Sequence, residues 1–228
     1  QNLRKYINQE NLVIPEVIAY KNIKNIEILL IEWIDMHNFD QKKLGKGLGE
    51  LHLKSAESNP KMFGFPVEGF IGTTDQKKGF EDNWIDCFLN LRIIPQLLSL
   101  KSRILDKETI NKVKEKIKSE LLNHKPINAL VHGDLWSGNA GMDKNGKGVI
   151  FDPASWWADN EVDIAMTKLF GGFRKEFYEE YHRIFPIKNG FEKRIIIYNF
   201  YHILNHANMF GGGYLKQVQD YVKAILNM

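Results

Sequence analysis

His132-Gly133-Asp134-Leu135-Trp136-Ser137-Gly138-Asn139 lies between two short apolar runs, 129–131 and 148–151, and the second run ends in Asp152-Pro153. A loop Asp, a following Asn and a second Asp at a strand end match the spacing H-x-D-x-x-x-x-N and then D of phosphoryl-transferring catalytic loops. That chemistry explains the residue types, because the transition state needs positioning and charge neutralisation more than covalent help. Asp134 would accept or orient the proton of an attacking hydroxyl. Asn139 and Asp152 offer hard oxygen ligands suited to Mg²⁺ on nucleotide phosphates. Each residue alone is an ordinary turn former. The joint spacing carries the reading.

The elements that must hold this loop follow from periodicity. Apolar, β-branched runs at 13–20 and 28–34 flank the polar KNIKN, so two strands joined by a turn are expected. From Asp40, an N-cap residue, Leu44, Leu48 and Leu51 predict a helix over 41–57. Asn59-Pro60 and the scattered glycines, prolines and aromatics of 58–80 predict an ordered loop and a candidate binding surface. Helices are expected at 81–100 and 107–123, the second with Ile110, Val113, Ile117 and Leu121 on one face. The 129–131 and 148–151 runs read as buried strands with a hairpin turn at Asn145-Gly146. Residues 161–226 read as helical, with breaks near 170–172, 186–190 and 211–213.

The composition narrows the function. Lys and Arg number 31 against 28 Asp and Glu, a net +3, too mild to call for nucleic acid or an anionic membrane as partner. No apolar run approaches the roughly 18–20 residues that span a bilayer. Cys87 is the single cysteine. It excludes an internal disulfide, favours a reducing compartment and reads as a small buried hydrophobe. The first residues lack the features of a secretory or transit peptide, so a cytoplasmic location is expected, or an organelle if an N-terminal segment is missing.

Trp136 offers an indole face that stacks on the C–H face of a sugar, although a tryptophan is more often simply packed. With it, HGDLWSGN and VIFDPASWWADNEVDIAMTKLFGGF resemble the fructosamine kinase (ketosamine-3-kinase) family. So do LGKGLGELH from Leu44, FGFPVEGFIGTTDQ from Phe63, Trp84 with Arg92 and Gln96, and the tail YNFYHILNHANMFGGGY. The resemblance spans about the whole chain. It implies an α+β, protein-kinase-like fold, mostly the helical C-lobe (35–228) with a truncated N-lobe remnant and hinge strand (1–34). It further implies transfer of the ATP γ-phosphoryl, with Mg²⁺, to the sugar 3-hydroxyl of a ketosamine, fructosamine or ribulosamine, free or protein-bound.

Carried over residue by residue, the resemblance makes Asp134 the base, Asn139 and Asp152 the Mg²⁺ ligands and Trp136 the sugar platform. Asp163 would prop the catalytic loop, and Glu32, Trp33 and Ile34 would form the adenine hinge. The residues before Glu32 contain no glycine, and Lys5, Lys21 and Lys24 do not match the family's phosphate-binding lysine. The chain as given is therefore expected to lack the phosphate cover, to bind nucleotide weakly and to begin within the N-lobe. His132 is expected to be scaffold. His202 and His206 lie one turn apart on what reads as polar surface, without a convincing third metal ligand. The short segment from Asp152 to Asp163 favours a compact acceptor over a peptide. The alternatives are a choline- or aminoglycoside-type phosphotransferase, or a nucleotide-binding pseudokinase.

Overall fold

The computed structural model describes residues 2–24, 26–58, 60–100 and 104–228. Asn25 of the expected KNIKN turn and Asn59 of the expected break lie outside the described residues. Three strands open the chain: β1 (Leu12–Val13), β2 (Val17–Ile23) and β3 (Ile26–Ile31). β2 and β3 form an antiparallel hairpin, while β1 runs parallel to a later strand. Helix α1 (Lys42–Glu57) buries Leu44, Leu48 and Leu51, as its spacing requires; its N-cap is Gln41 rather than the expected Asp40, whose carboxylate accepts from the Lys42 amide at 3.1 Å.

Residues 58–80 are more regular than their composition suggests. They hold the short strands β4 (Phe63–Phe65), β5 (Gly69–Ile71), β6 (Thr74–Gln76) and β7 (Gly79–Glu81), with β5 paired to β6 and β4 to β7. The expected single helix over 81–100 is also divided. β7 reaches Glu81 and Asn83 caps α2 (Trp84–Phe88), accepting from the Asp86 amide at 2.8 Å. A π-helical turn (Leu89–Ile93) then leads into α3 (Ile94–Ser99). Pro95 lies at the start of α3 and has no N–H to donate, which accounts for a change of helical register just before it.

Helix α4 (Lys107–Leu121) starts at Asp106, whose carboxylate accepts from the Thr109 amide at 2.7 Å. Beyond it lie β8 (Asn128–Val131), β9 (Ala140–Met142), β10 (Gly148–Ile150) and β11 (Trp156–Asp159). Strand β11 was not anticipated. It pairs antiparallel with β8 and β4, completing a sheet of order β7-β4-β11-β8, while β1, β10 and β9 form a second sheet. The β9–β10 turn is the expected one, with Gly146 at φ +69°.

Four helices complete the chain: α5 (Glu161–Leu169), α6 (Lys175–Ile184), α7 (Phe191–Phe210) and α8 (Gly213–Leu226). One apolar cluster joins α2, α4, α7 and α8 beneath the β8–β11 sheet, and a second joins α1, β1, β10 and α6. Helix α7 is covered on most sides and buries Asn199, His202 and Asn205 along with its apolar residues. The expected polar surface around His202 is therefore wrong, since Tyr201, His202 and Asn205 all lie within the core. Among the described residues no helix is long and apolar enough to cross a membrane.

Candidate active site

The catalytic-type loop leaves the end of β8 at His132 and returns to β9 through a 3-10 turn at Ser137–Asn139. Its first residues are fixed by Asp163, in the first turn of α5. One Asp163 oxygen accepts from the His132 amide at 2.7 Å and the other from the Gly133 amide at 2.8 Å. His52 Nε2 donates to the same carboxylate at 3.1 Å, and the Tyr181 hydroxyl in turn bonds His52 Nδ1 at 2.9 Å. Burial alone would raise the Asp163 pKa. The His52 hydrogen bond, the neighbouring histidines and the Gly133 amide outweigh it and hold the carboxyl below its ordinary value. A charged carboxylate inside the core thus anchors the loop, the supporting role expected of Asp163.

His132 ties the loop to the second strand. Its Nε2 donates to the Phe151 carbonyl at 2.9 Å, and its Nδ1 accepts from the Asp134 amide at 3.3 Å. Burial lowers its pKa, so the ring is neutral, and one nitrogen is the donor and the other the acceptor. His132 is scaffold, as expected. Gly133 adopts φ +85°, and a Cβ there would lie 2.2 Å from the Ala154 carbonyl oxygen, so the loop passes against the 153–155 segment where no side chain fits.

Asp134 and Asn139 meet directly. Asn139 Nδ2 donates to the Asp134 carbonyl at 3.0 Å and to its carboxylate at 3.3 Å. The amide nitrogen is engaged, so the amide oxygen is the atom left to face a cation. The Asp134 pKa is raised to about 6 by burial, then by the charges of Asp152 and Asp163, against the Asn139 hydrogen bond. Asp152 is exposed at φ +54°, a left-handed conformation uncommon outside glycine, which turns the chain sharply after β10. The donor set of one carboxylate and one amide oxygen has the hardness Mg²⁺ prefers.

Glu32, Trp33 and Ile34 follow β3 and line a cleft of about 740 Å³ together with Ile31, Met36, His37 and Phe151. The hinge-like segment and the residue preceding Asp152 therefore face one opening. Trp136 is tied to Asp134 and Asn139 through its main chain, its amide donating to the Asp134 carbonyl at 3.2 Å and its carbonyl accepting from the Asn139 amide at 2.9 Å, while the residue is 39% exposed. Its ring folds over Gly138, where any Cβ would lie 2.2 Å from the indole. Phe170 meets it edge-on at 6.2 Å and contacts His206 in turn at 5.1 Å. His206 donates from Nδ1 to the His202 carbonyl at 2.8 Å. A partly open aromatic wall results.

Among the described residues, the acid and histidine group with atoms close enough for a metal is His124, Asp159 and Glu161. It is satisfied from within. Asp159 accepts from His124 and Tyr198 at 2.6 Å each, and Arg194 holds Glu161 at 2.5 and 2.9 Å. Cys87 is fully buried and burial pushes its thiol up to about 12, as a packed hydrophobe requires. Sequence reasoning missed His52. The one available signal was a polar residue on the buried face of α1, and its partner Asp163 is remote in sequence.

The chain is 39% identical over 222 residues to a probable ketoamine kinase of Synechocystis, covering 96% of this chain and 74% of that one. It is 33% identical to mouse ketosamine-3-kinase, covering 82% and 69%. A crystal structure described as a candidate fructosamine-3-kinase of Haemophilus somnus superimposes with a TM-score of 0.87 at 26% identity, over 99% of this chain and 76% of that one. A choline kinase of Streptococcus pneumoniae matches at a TM-score of 0.57 and 15% identity over 94% and 76%, which shows a shared protein-kinase-like fold. The sequence profile of the fructosamine kinase family matches residues 1–228, and the chain belongs to that family.

Proposed function

We propose that the chain transfers the γ-phosphoryl group of ATP to the 3-hydroxyl of a ketosamine sugar, the reaction that repairs glycated amines. The observation that carries this reading is the hydrogen-bonded pair Asp134 and Asn139 under the charge of Asp152. Asp134 takes the proton of the acceptor hydroxyl as its oxygen bonds phosphorus and the bond to the leaving phosphate breaks. A pKa near 6 keeps it ionised at neutral pH yet more basic than a free carboxylate. Asn139 Nδ2 steers the carboxylate, leaving Asn139 Oδ1 and the Asp152 carboxylate to hold Mg²⁺. When bound, the ion neutralises phosphate charge. The cleft at Glu32, Trp33 and Ile34 takes the adenine, and the Trp136 face takes the sugar.

Steady-state assay of Asp134→Ala with fructosamine and ribulosamine tests the reading. Turnover should vanish with the circular dichroism spectrum unchanged, and retained turnover would overturn the assignment. Calorimetric titration of nucleotide should show Asp152→Asn losing the Mg²⁺-dependent part of binding. An unchanged Mg²⁺ dependence would remove Asp152 from the metal site.

A further inference from the structure

Arg92 is placed by the π-helical turn before Pro95 and is 1% exposed. Pro95 cannot bond the Leu91 carbonyl, and Arg92 Nη1 takes that carbonyl at 2.8 Å together with the Lys77 carbonyl at 3.1 Å. The Trp156 ring lies 4.0 Å from the guanidinium centre. Its Nε and Nη2 have no hydrogen-bond partner among the described residues. Arginine does not shed its proton at ordinary pH, so this is a buried charge with two free donor nitrogens and no counter-ion among the described residues.

The residue that carries these groups lines a pocket of about 260 Å³ with Gln76, Ser155 and Lys77, and Phe65 and Ile14 are among its apolar walls. Gln76 is 6% exposed, and among the described residues neither its Nε2 nor the Ser155 hydroxyl has a hydrogen-bond partner. Guanidinium, amide N–H and hydroxyl form a donor set for an oxyanion. The acid among the lining residues, Glu68, pairs with Lys78 at 3.8 Å. The site is next to the chemistry, because Pro153, Ala154 and Ser155 continue directly from Asp152.

We propose that this pocket is an oxyanion subsite of the acceptor site, holding a carboxylate or phosphate carried by the ketosamine whose 3-hydroxyl meets Asp134. It rests on the kinase reading above and adds the substrate class, an anionic ketosamine. The carboxylate would come from a glycated α-amino acid, and the phosphate from the far end of the sugar.

Matched acceptors separate these sources. Fructosyl-glycine is compared with fructosyl-glycinamide, and fructosyl-glycinamide with its 6-phosphate. The wild-type chain should show a KM about tenfold or more lower for one anionic member of a pair, which identifies the source. Arg92→Gln should erase that preference with kcat on the neutral acceptor retained. Ser155→Ala, a milder change, should weaken the preference even if Arg92→Gln does not fold. Equal KM values within both pairs, or equal losses for neutral and anionic acceptors in Ser155→Ala, would overturn the proposal.

A readout without turnover separates this proposal from the kinase reading. Inorganic phosphate or acetate should raise the melting temperature of the wild type and of Asp152→Asn, and raise that of Ser155→Ala by less. If no acceptor is phosphorylated yet this pattern holds, the kinase reading fails and the anion site stands. If neither anion shifts the wild type, the pocket proposal falls.

Discussion

Asp134 shows how a proposed catalytic group burdens the fold that carries it. Burial first, then the charges of Asp152 and Asp163, raise its pKa to about 6, so the folded state disfavours the ionised form. The native state therefore binds more protons than the unfolded chain between the ordinary carboxyl pKa and about 6, and stability falls as pH rises through that window. Asp134→Asn should remove the penalty, adding on the order of 1–3 kcal/mol at pH 7.5 in urea unfolding and progressively less below pH 6. Turnover should fall by roughly 10²–10⁴ in the same variant. A loss of stability at pH 7.5 would contradict this account. His202 behaves oppositely on the acid side. It is fully buried, both ring nitrogens lack partners among the described residues, and burial, then the nearby His206, lower its pKa to about 3 against a smaller opposing effect from Asp163. The unfolded chain takes up this proton below about pH 6.5 and the folded chain does not. Between pH 7.5 and pH 5 the wild type should lose about 2 kcal/mol from this one group, and His202→Leu should flatten that slope.

At the scale of elements, the α1–α6 contact depends on what α1 omits. A Cβ on Gly45 would lie 2.1 Å from the Phe177 carbonyl oxygen, whereas one on Gly49 would meet the movable end of Ile184 at 2.8 Å. Alanine adds helix propensity worth about 1 kcal/mol at either position. Backbone cannot step aside as a methyl can, so Gly45→Ala should destabilise by about 1–3 kcal/mol and Gly49→Ala should be near neutral, as read by thermal unfolding. The helices α1 and α4 were legible because several turns repeat one apolar period, and α7 and α8 because glycine and proline breaks bound a helical stretch. The three-residue strands β4–β7 were not, since so short a segment holds no period. The same contrast runs through the site. The Asp134, Asn139 and Asp152 spacing lies within one stretch of chain and could be read directly. The His52–Asp163 bond requires α1 to pack beside α5, and the orphaned donors of Arg92 require the π-helical turn and the β6 strand to meet. No local signal encodes either meeting.

For the whole molecule, anchorage is uneven, and the cleft lies at its weak end. β8 and β11 are mostly buried and sit over the main apolar cluster. The β2–β3 hairpin has Ile18, Tyr20, Ile28 and Leu30 all exposed and is held by its own ladder, with a Glu32 amide to Glu16 carbonyl bond of 2.8 Å closing its base. A two-stranded hairpin without a covered face is marginal in water. Its amides should therefore exchange through local opening, at rates about 10³-fold or more above those of Leu130 and Ala158, whose exchange requires global unfolding. Ile31, the last residue of the hairpin, and Glu32 to Ile34 after it form one wall of the proposed adenine cleft, so a ligand that orders this wall must also slow exchange in the hairpin. Hydrogen exchange with and without Mg·ATP tests both steps. Fast hairpin exchange that Mg·ATP slows, in the wild type and not in Asp152→Asn, is the expected result. Exchange as slow in the hairpin as in β8 would show that its exposed strands belong to the same cooperative unit as the core.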